Sequence, residues 1–121
     1  MPIHHPLTTE EFDKIVMTDK KQYILVDFYA DWCGPCKRIS PKLEKMSETY
    51  GDSVTFLKVN VDIDELKDIV SRYSVAAMPT FLIFKVGSLS PEFKPIVGAD
   101  EMKIEYMLKS VSGKLNLNGD F

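Results

Sequence analysis

The stretch FYADWCGPCKRISP, residues 28–41, contains both cysteines of this 121-residue chain. Cys33 and Cys36 are separated by two residues and lie between an almost continuous apolar run and a helix-like run. Such a pair can be a permanent disulfide, half of a metal site, or a redox pair that opens and closes.

The composition is typical of one ordinary globular domain, with 45% hydrophobic and 27% charged residues. A formal net charge of −3 argues against a nucleic-acid partner, because phosphate binding requires a basic face. No apolar run approaches the roughly 20 residues that are needed to span a bilayer. The first residues, MPIHHPLTTEEF, do not have the pattern of a secretory signal or a transit peptide. We therefore expect a cytoplasmic protein that does not bind membranes.

A reducing compartment disfavours permanent disulfides, so a cytoplasmic cysteine pair is more often catalytic or metal-binding. The loop between residues 33 and 36 is also too short for a disulfide to restrict the unfolded chain much. A zinc site would need His4 and His5 as further ligands, and adjacent histidines between two prolines reach one site awkwardly. Redox use of the pair is therefore favoured over zinc, and zinc over a structural disulfide.

Strand-like and helix-like segments alternate along the chain, which predicts an α/β fold with a largely parallel sheet. Capping-box spacing, in which a polar side chain caps a helix and an acid follows three residues later, occurs at Thr8 with Glu11 and at Asp62 with Glu65. The predicted helices cover residues 9–20, 35–50, 62–73 and about 101–112. Strands are predicted at 23–30, 53–61 and 80–86, with short edge strands at 3–5 and 93–97. We expect residues 1–112 to form one domain and residues 113–121 to form a loose tail.

The spacing of the two cysteines suits reversible closure. Residues three apart on a helix share a face with Cβ atoms about 5–6 Å apart, and a disulfide needs about 3.8 Å. Cys33 opens the helix, where unpaired N–H groups and the helix dipole stabilise a thiolate. We expect Cys33 to be the exposed, attacking thiol and Cys36, one turn deeper, to be shielded and to resolve a mixed disulfide. Gly34 leaves room for a substrate, and Pro35 suits the first turn.

Two charged residues lie within predicted strands. Asp27 interrupts the apolar run ILVDFYA, and a buried carboxylate must find a partner or take up a proton. Alternatively, Asp27 is an acid at a strand end that faces water. Lys58 is most simply a strand lysine that extends its ammonium to solvent.

The segment WCGPCK after VDFYA resembles the active site of the thioredoxin family, and the resemblance continues through KVNVD, AMPTFLIFKVG and VGA. It covers roughly residues 8–112. It implies the thioredoxin fold, a three-layer α/β/α sandwich with a central mixed sheet. It also implies a protein-disulfide reductase that works by dithiol–disulfide exchange at Cys33 and Cys36.

The resemblance further implies roles for residues around the cysteines. Asp27 would relay a proton for Cys36, and Lys58 would temper the pKa of Asp27. The bond before Pro79 would be cis and would present the Met78 backbone to a client segment. The expected substrate-binding residues are Trp32, Gly34, Pro35, Ala77, Met78, Pro79, Val97, Gly98 and Ala99. Tyr29 stands where many family members have tryptophan, and we expect this difference to affect packing more than chemistry.

The family implies no bound cofactor and no metal, with electrons that come from NADPH through a separate thioredoxin reductase. Disulfide-containing proteins would be the clients of a monomeric enzyme. Two alternatives remain, namely an oxidase or isomerase of an oxidising compartment and a binding module in which the thiols are incidental. The segment SLSPEFKPIV, residues 88–97, is longer than the usual hairpin of the family and bears on which partners fit.

Overall fold

A computed structural model describes residues 3–113 and contains four helices and four strands in that part of the chain. A 3-10 turn at Asp64–Leu66 precedes the third helix. In chain order the elements are α1 (Thr9–Thr18), β1 (Tyr23–Tyr29), α2 (Gly34–Tyr50), β2 (Val54–Asn60), α3 (Lys67–Arg72), β3 (Thr80–Lys85), β4 (Ile96–Val97) and α4 (Glu101–Ser112). Gly113 ends α4 at a φ of 75°, and residues 114–121 of the predicted tail lie outside the described residues.

The strands form one mixed sheet in the order β2-β1-β3-β4. Strand β1 is parallel to β2 and antiparallel to β3, and β4 is antiparallel to β3. The largely parallel sheet predicted from the alternation of elements is therefore wrong, and the mixed sheet that the resemblance implies is confirmed. In this register Asp27 lies between Lys58 on β2 and Phe81 on β3. The central position of β1 explains its almost continuous apolar sequence, because both of its edges and both of its faces are covered.

Helices cover both faces of the sheet. Alternate residues of β1, Ile24, Val26 and Phe28, belong to a core that also includes residues of α1 and α3. Leu25 points to the opposite core, which includes residues of α2 and α4. The result is the predicted three-layer α/β/α sandwich. In the described part of the chain, no helix is long and apolar enough to cross a membrane.

The first predicted capping box is confirmed in part. The hydroxyl of Thr8 accepts a hydrogen bond from the Glu11 amide at 3.1 Å, so Thr8 caps α1. The Glu11 carboxylate accepts from the amide of Leu7 at 2.7 Å, one residue earlier than a capping box requires. The helix ends at Thr18 instead of Lys20, a difference that is usual for frayed ends.

The second predicted capping box is wrong. The 3-10 turn begins at Asp64 with Ile63 before it, and no side chain caps it. The Asp62 amide donates to the Asn60 side chain at 2.9 Å, and the Asp62 carboxylate is engaged elsewhere. The helix that follows, α3, has only six residues.

Both predicted edge strands are shorter than expected. At the outer edge of β2, His4 is the one residue of the described segment that forms a bridge, with its amide donating to the Phe56 carbonyl and its own carbonyl accepting from the Lys58 amide. At the other edge, β4 has two residues, and a separate bridge joins Pro91 to Phe84. Proline has no amide hydrogen, so Pro91 and Pro95 interrupt the ladder on that side.

Candidate active site

The two cysteines lie where β1 ends and α2 begins. Cys33 is the residue that caps α2, and its Sγ accepts a hydrogen bond from the Cys36 amide at 3.1 Å. The two side chains form a disulfide, with their Cα atoms 5.3 Å apart. The predicted pair is therefore bonded within the first turn of the helix. It lies at the end of the helix that stabilises negative charge.

The expected difference in exposure between the two cysteines is not observed. Cys33 and Cys36 are each 4% exposed in the disulfide form. Cys33 is covered because its sulfur packs against the loop before β3, where it lies 3.6 Å from the Met78 carbonyl oxygen. The two sulfurs therefore differ in their surroundings more than in exposed area.

The loop before β3 confirms one expectation from the family resemblance, because the Met78–Pro79 peptide bond is cis. The Pro79 carbonyl accepts a hydrogen bond from the Gly98 amide at 2.8 Å, which ties this loop to the end of β4. Contacts thus connect Cys33, Met78, Pro79 and Gly98 in one continuous patch, in which Cys33 and Pro79 are buried and Met78 and Gly98 are half-buried. Beside it, Val97 is 62% exposed.

Two small residues flank that patch and are also exposed, as a binding surface requires. They are Ala77, whose carbonyl accepts from the Thr80 hydroxyl at 2.6 Å, and Ala99, which follows Gly98.

Trp32 is the largest exposed apolar side chain near the disulfide, with 67% of its surface accessible. Its indole N–H donates to the carboxylate of Asp62 at 2.9 Å. This hydrogen bond fixes the orientation of the indole ring, which could otherwise rotate in solvent. Asp62 is therefore a site residue that the sequence did not reveal, because its spacing to Glu65 was interpreted as a helix cap.

Gly34 and Pro35 form the first turn of α2 between the cysteines. A Cβ atom on Gly34 would meet only the Arg38 guanidinium, at 3.6 Å, which is an ordinary contact. The folded chain therefore does not need glycine at this exposed position. Pro35 lies where a helix needs no amide donor.

Asp27 is buried, with 3% of its surface exposed, so the alternative of an acid facing water is wrong. Both of its carboxylate oxygens lack a hydrogen-bond partner among residues 3–113. Burial raises the pKa of Asp27 to about 7, and the positive charge of Lys58 only partly opposes this. Asp27 can therefore bind and release a proton near neutral pH.

Lys58 lies beside Asp27 in the sheet and does not extend freely into solvent. Its Nζ lies 4.4 Å from the centroid of the Tyr29 ring and 3.5 Å from the Ser40 hydroxyl. These three residues and Cys36 line one cavity of about 400 Å³. The cavity connects Cys36 to Lys58, the neighbour of Asp27, and is large enough for several water molecules.

His4 and His5, the further ligands of the zinc alternative, do not form a ligand cluster with the two cysteines in the described structure. His4 pairs with β2, and the ring of His5 packs edge-on against Tyr29 at 6.5 Å. Among the described residues, no group of three or more His, Cys, Asp and Glu could hold a metal ion.

Comparison with known proteins identifies the family. The sequence model of the family named Thioredoxin matches residues 3–110. Thioredoxin-1 of Schizosaccharomyces pombe is 45% identical over 102 residues, which cover 84% of this chain and 91% of that protein.

Two solved structures agree. The thioredoxin of Malassezia sympodialis (Mala s 13) superposes with a TM-score of 0.80 at 36% identity, covering 92% of this chain and 91% of the other. The oxidised form of mitochondrial thioredoxin 3 of Saccharomyces cerevisiae gives a TM-score of 0.76 at 37% identity, covering 89% and 94%. With its disulfide at the start of α2 beside the cis-proline loop, this chain belongs to the thioredoxin family.

Proposed function

We propose that this chain reduces disulfides in client proteins, with Cys33 as the attacking thiolate and Cys36 as the resolving thiol. Membership of the thioredoxin family makes it a protein-disulfide oxidoreductase. The assignment of the two roles is supported by the Cys36 amide, which donates to the sulfur of Cys33 and would stabilise a thiolate there. Cys36 instead lines the open cavity that it shares with Tyr29, Ser40 and Lys58.

The reaction consists of two exchange steps. The Cys33 thiolate attacks one sulfur of the client disulfide, forms a mixed disulfide and releases the other client sulfur as a thiolate. The Cys36 thiol loses its proton and attacks Cys33, which releases the second client thiolate and closes the Cys33–Cys36 disulfide. Two electrons pass to the client, and its thiolates take up two protons.

Asp27 is proposed to accept the proton of Cys36 through water, which the cavity lined by Cys36 and by Lys58, the neighbour of Asp27, could supply. This role is supported by a pKa raised to about 7, since a general base works best near the operating pH. Lys58 is proposed to temper that pKa through its positive charge. Both residues would act through water, so in this proposal they assist an exchange that the cysteines perform.

A client segment is proposed to bind across the Met78 backbone, beside the exposed Trp32 ring and the small residues that flank the disulfide. The support is the exposure of Trp32 and Val97 and the absence of any packing reason for glycine at position 34. The complete proposed surface is Trp32, Gly34, Pro35, Ala77, Met78, Pro79, Val97, Gly98 and Ala99.

Regeneration of the dithiol is proposed to use NADPH electrons that a separate thioredoxin reductase delivers, with no cofactor or metal bound to this chain. We propose a monomer in the cytoplasm, where a cysteine pair is kept reducible. One structural relative is a mitochondrial thioredoxin, so fractionation of the cells that make the protein decides the compartment.

The observation that carries this proposal is the Cys33–Cys36 disulfide at the start of α2, with Cys33 Sγ 3.6 Å from the Met78 carbonyl. The test is the reduction of insulin by dithiothreitol, followed by turbidity. The native chain should accelerate it, and the Cys33→Ser, Cys36→Ser double variant should not. Turnover by the double variant would refute the proposal. If the double variant loses turnover but still binds clients, this result does not by itself favour a binding module. A binding module also requires that the native chain has no turnover.

The order of attack needs a separate experiment. A Cys36→Ser variant should accumulate mixed disulfides with clients through Cys33, because no second thiol releases them. A Cys33→Ser variant is the matched control and should trap few or none. Equal trapping by both variants would contradict the assigned roles.

A further inference from the structure

The ammonium of Lys58 does not pair with the carboxylate that lies beside it. Asp27 and Lys58 are direct neighbours across β1 and β2, yet both Asp27 oxygens lack a hydrogen-bond partner among residues 3–113. A buried acid beside a cation would ordinarily form an ion pair. Another group therefore holds the ammonium.

Tyr29 is that group by position. It lies two residues after Asp27 on β1, so both side chains project from the same face of the sheet. Lys58 Nζ lies 4.4 Å from the Tyr29 ring centroid, within the roughly 6 Å over which an aromatic face attracts a cation. The second contact of Lys58 Nζ, 3.5 Å to the Ser40 hydroxyl, is long for a hydrogen bond and is therefore the weaker of the two interactions.

Other ionisable groups surround the same ammonium and must stay constant in any test. Helix α2 contributes Lys37, Glu44 and Glu48, the loop after β1 contributes Asp31, and the N-terminal segment contributes His5. Strand β3 contributes the apolar Phe81 beside Asp27. A substitution at position 29 changes none of these side chains itself, but Tyr29→Leu removes the edge-on contact with the His5 ring, whereas Tyr29→Phe keeps it.

We propose that Tyr29 is a positioning residue whose ring face holds the Lys58 ammonium and prevents it from forming an ion pair with the Asp27 carboxylate. The consequence is that Lys58 opposes the effect of burial on Asp27 only in part. The further claim, that this keeps Asp27 able to take the proton of Cys36, rests on the proposed function. The family resemblance suggested instead that tyrosine in place of tryptophan at position 29 affects packing more than chemistry.

The test compares Asp27 in Tyr29→Leu and Tyr29→Phe variants, in the disulfide form, where the cysteines do not titrate. Carboxyl ¹³C NMR gives the pKa of Asp27, with Asp27→Asn used for assignment. Tyr29→Leu releases the ammonium, so the pKa of Asp27 should fall by about 1 or more, as an opposite charge at close range produces. Tyr29→Phe keeps the ring face and should leave the pKa of Asp27 near that of the native chain.

A smaller side chain at position 29 also admits water, which by itself lowers the pKa of a buried acid. The control repeats Tyr29→Leu in a Lys58→Met background, which has no ammonium to release. The fall in the pKa of Asp27 should be much smaller there. An equal fall in both backgrounds, or no fall with Lys58 present, would overturn the inference.

A measurement on the native chain covers the case in which Tyr29→Leu does not fold. Protons above an aromatic face resonate upfield, so the ε-methylene protons of Lys58 should lie upfield of those of exposed lysines. Positions equal to those in an unstructured peptide would overturn the inference.

Insulin reduction catalysed by the same variants distinguishes a failure of this inference from a failure of the proposed function. If Tyr29→Leu lowers the pKa of Asp27 without changing the pH dependence of turnover, the positioning role stands. The role of Asp27 toward Cys36 then fails.

Discussion

Asp27 is a carboxylic acid in the centre of the sheet with no hydrogen-bond partner among residues 3–113. Its protonated form suits that environment, which raises its pKa to about 7. Because Asp27 in the unfolded chain ionises near its ordinary pKa of 3.8, the folded chain binds more protons between those two pH values. Folding stability therefore falls as pH rises from about 4 to about 7 and then levels off.

Asp27→Asn removes this loss. At about 1.4 kcal/mol per pH unit, the variant should be more stable than the native chain at pH 8 by a few kcal/mol. Near pH 4, where the native carboxyl is also neutral, the two should be similar. Urea unfolding at both values of pH checks this. A stability difference that does not widen between pH 4 and pH 8 would contradict the account.

At the scale of elements, the site depends on two junctions, β1 to α2 and the cis-proline loop to β4. Gly98 forms the second junction at a φ of 97°, which L residues rarely adopt. The Gly98 amide donates a hydrogen bond to the Pro79 carbonyl. Strain that a substitution introduces at position 98 should therefore affect the loop that contacts Cys33.

Gly98→Ala should lower the free energy of unfolding by about 1–2 kcal/mol, because a Cβ atom disfavours positive φ. Gly34→Ala is the matched control and should be neutral or slightly stabilising, since that helical site accepts a Cβ atom. Urea unfolding measures both. An equal loss of stability in the two variants would argue against strain at Gly98.

The β1 to α2 junction presents Trp32, which Asp62 orients. In Asp62→Ala the indole loses its acceptor and should become more mobile on the picosecond to nanosecond timescale. Stability should change by about 1 kcal/mol or less, because the hydrogen bond is exposed. Since Trp32 is the only tryptophan, ¹⁵N relaxation of one indole signal reports the motion. Asp62→Asn keeps an acceptor and should preserve the order, whereas unchanged relaxation in Asp62→Ala would exclude the role of Asp62.

For the whole molecule, local patterns in the sequence predicted most elements and the bonded cysteines. The apolar run of β1 and the interruption at Asp27 are visible there because burial on both faces leaves a continuous signature. The equal burial of Cys33 and Cys36 was not predictable, since it depends on a loop 45 residues away. The contacts of Tyr29 with Lys58 and of Trp32 with Asp62 likewise depend on strand register and side-chain rotamers, which residue spacing does not encode.

The short edge strands likewise were predictable only in part from the sequence. The prolines of the segment after β3 predicted weak pairing at that edge, and β4 is indeed two residues long. Periodicity could not show that Pro91 would form a separate bridge with Phe84. Such a bridge depends on how the loop closes over the sheet.

The most direct test of Cys33 as the attacking thiolate is its ionisation in a Cys36→Ser variant. The rate at which iodoacetamide alkylates Cys33, measured as a function of pH, reports this ionisation. The start of α2 directs the backbone N–H of residue 36 at this sulfur and should stabilise the anion. The rate should reach half its maximum well below about 8.5, the value for a free cysteine thiol. A profile that coincides with that of an unstructured peptide containing the same residues would contradict the proposed role of Cys33.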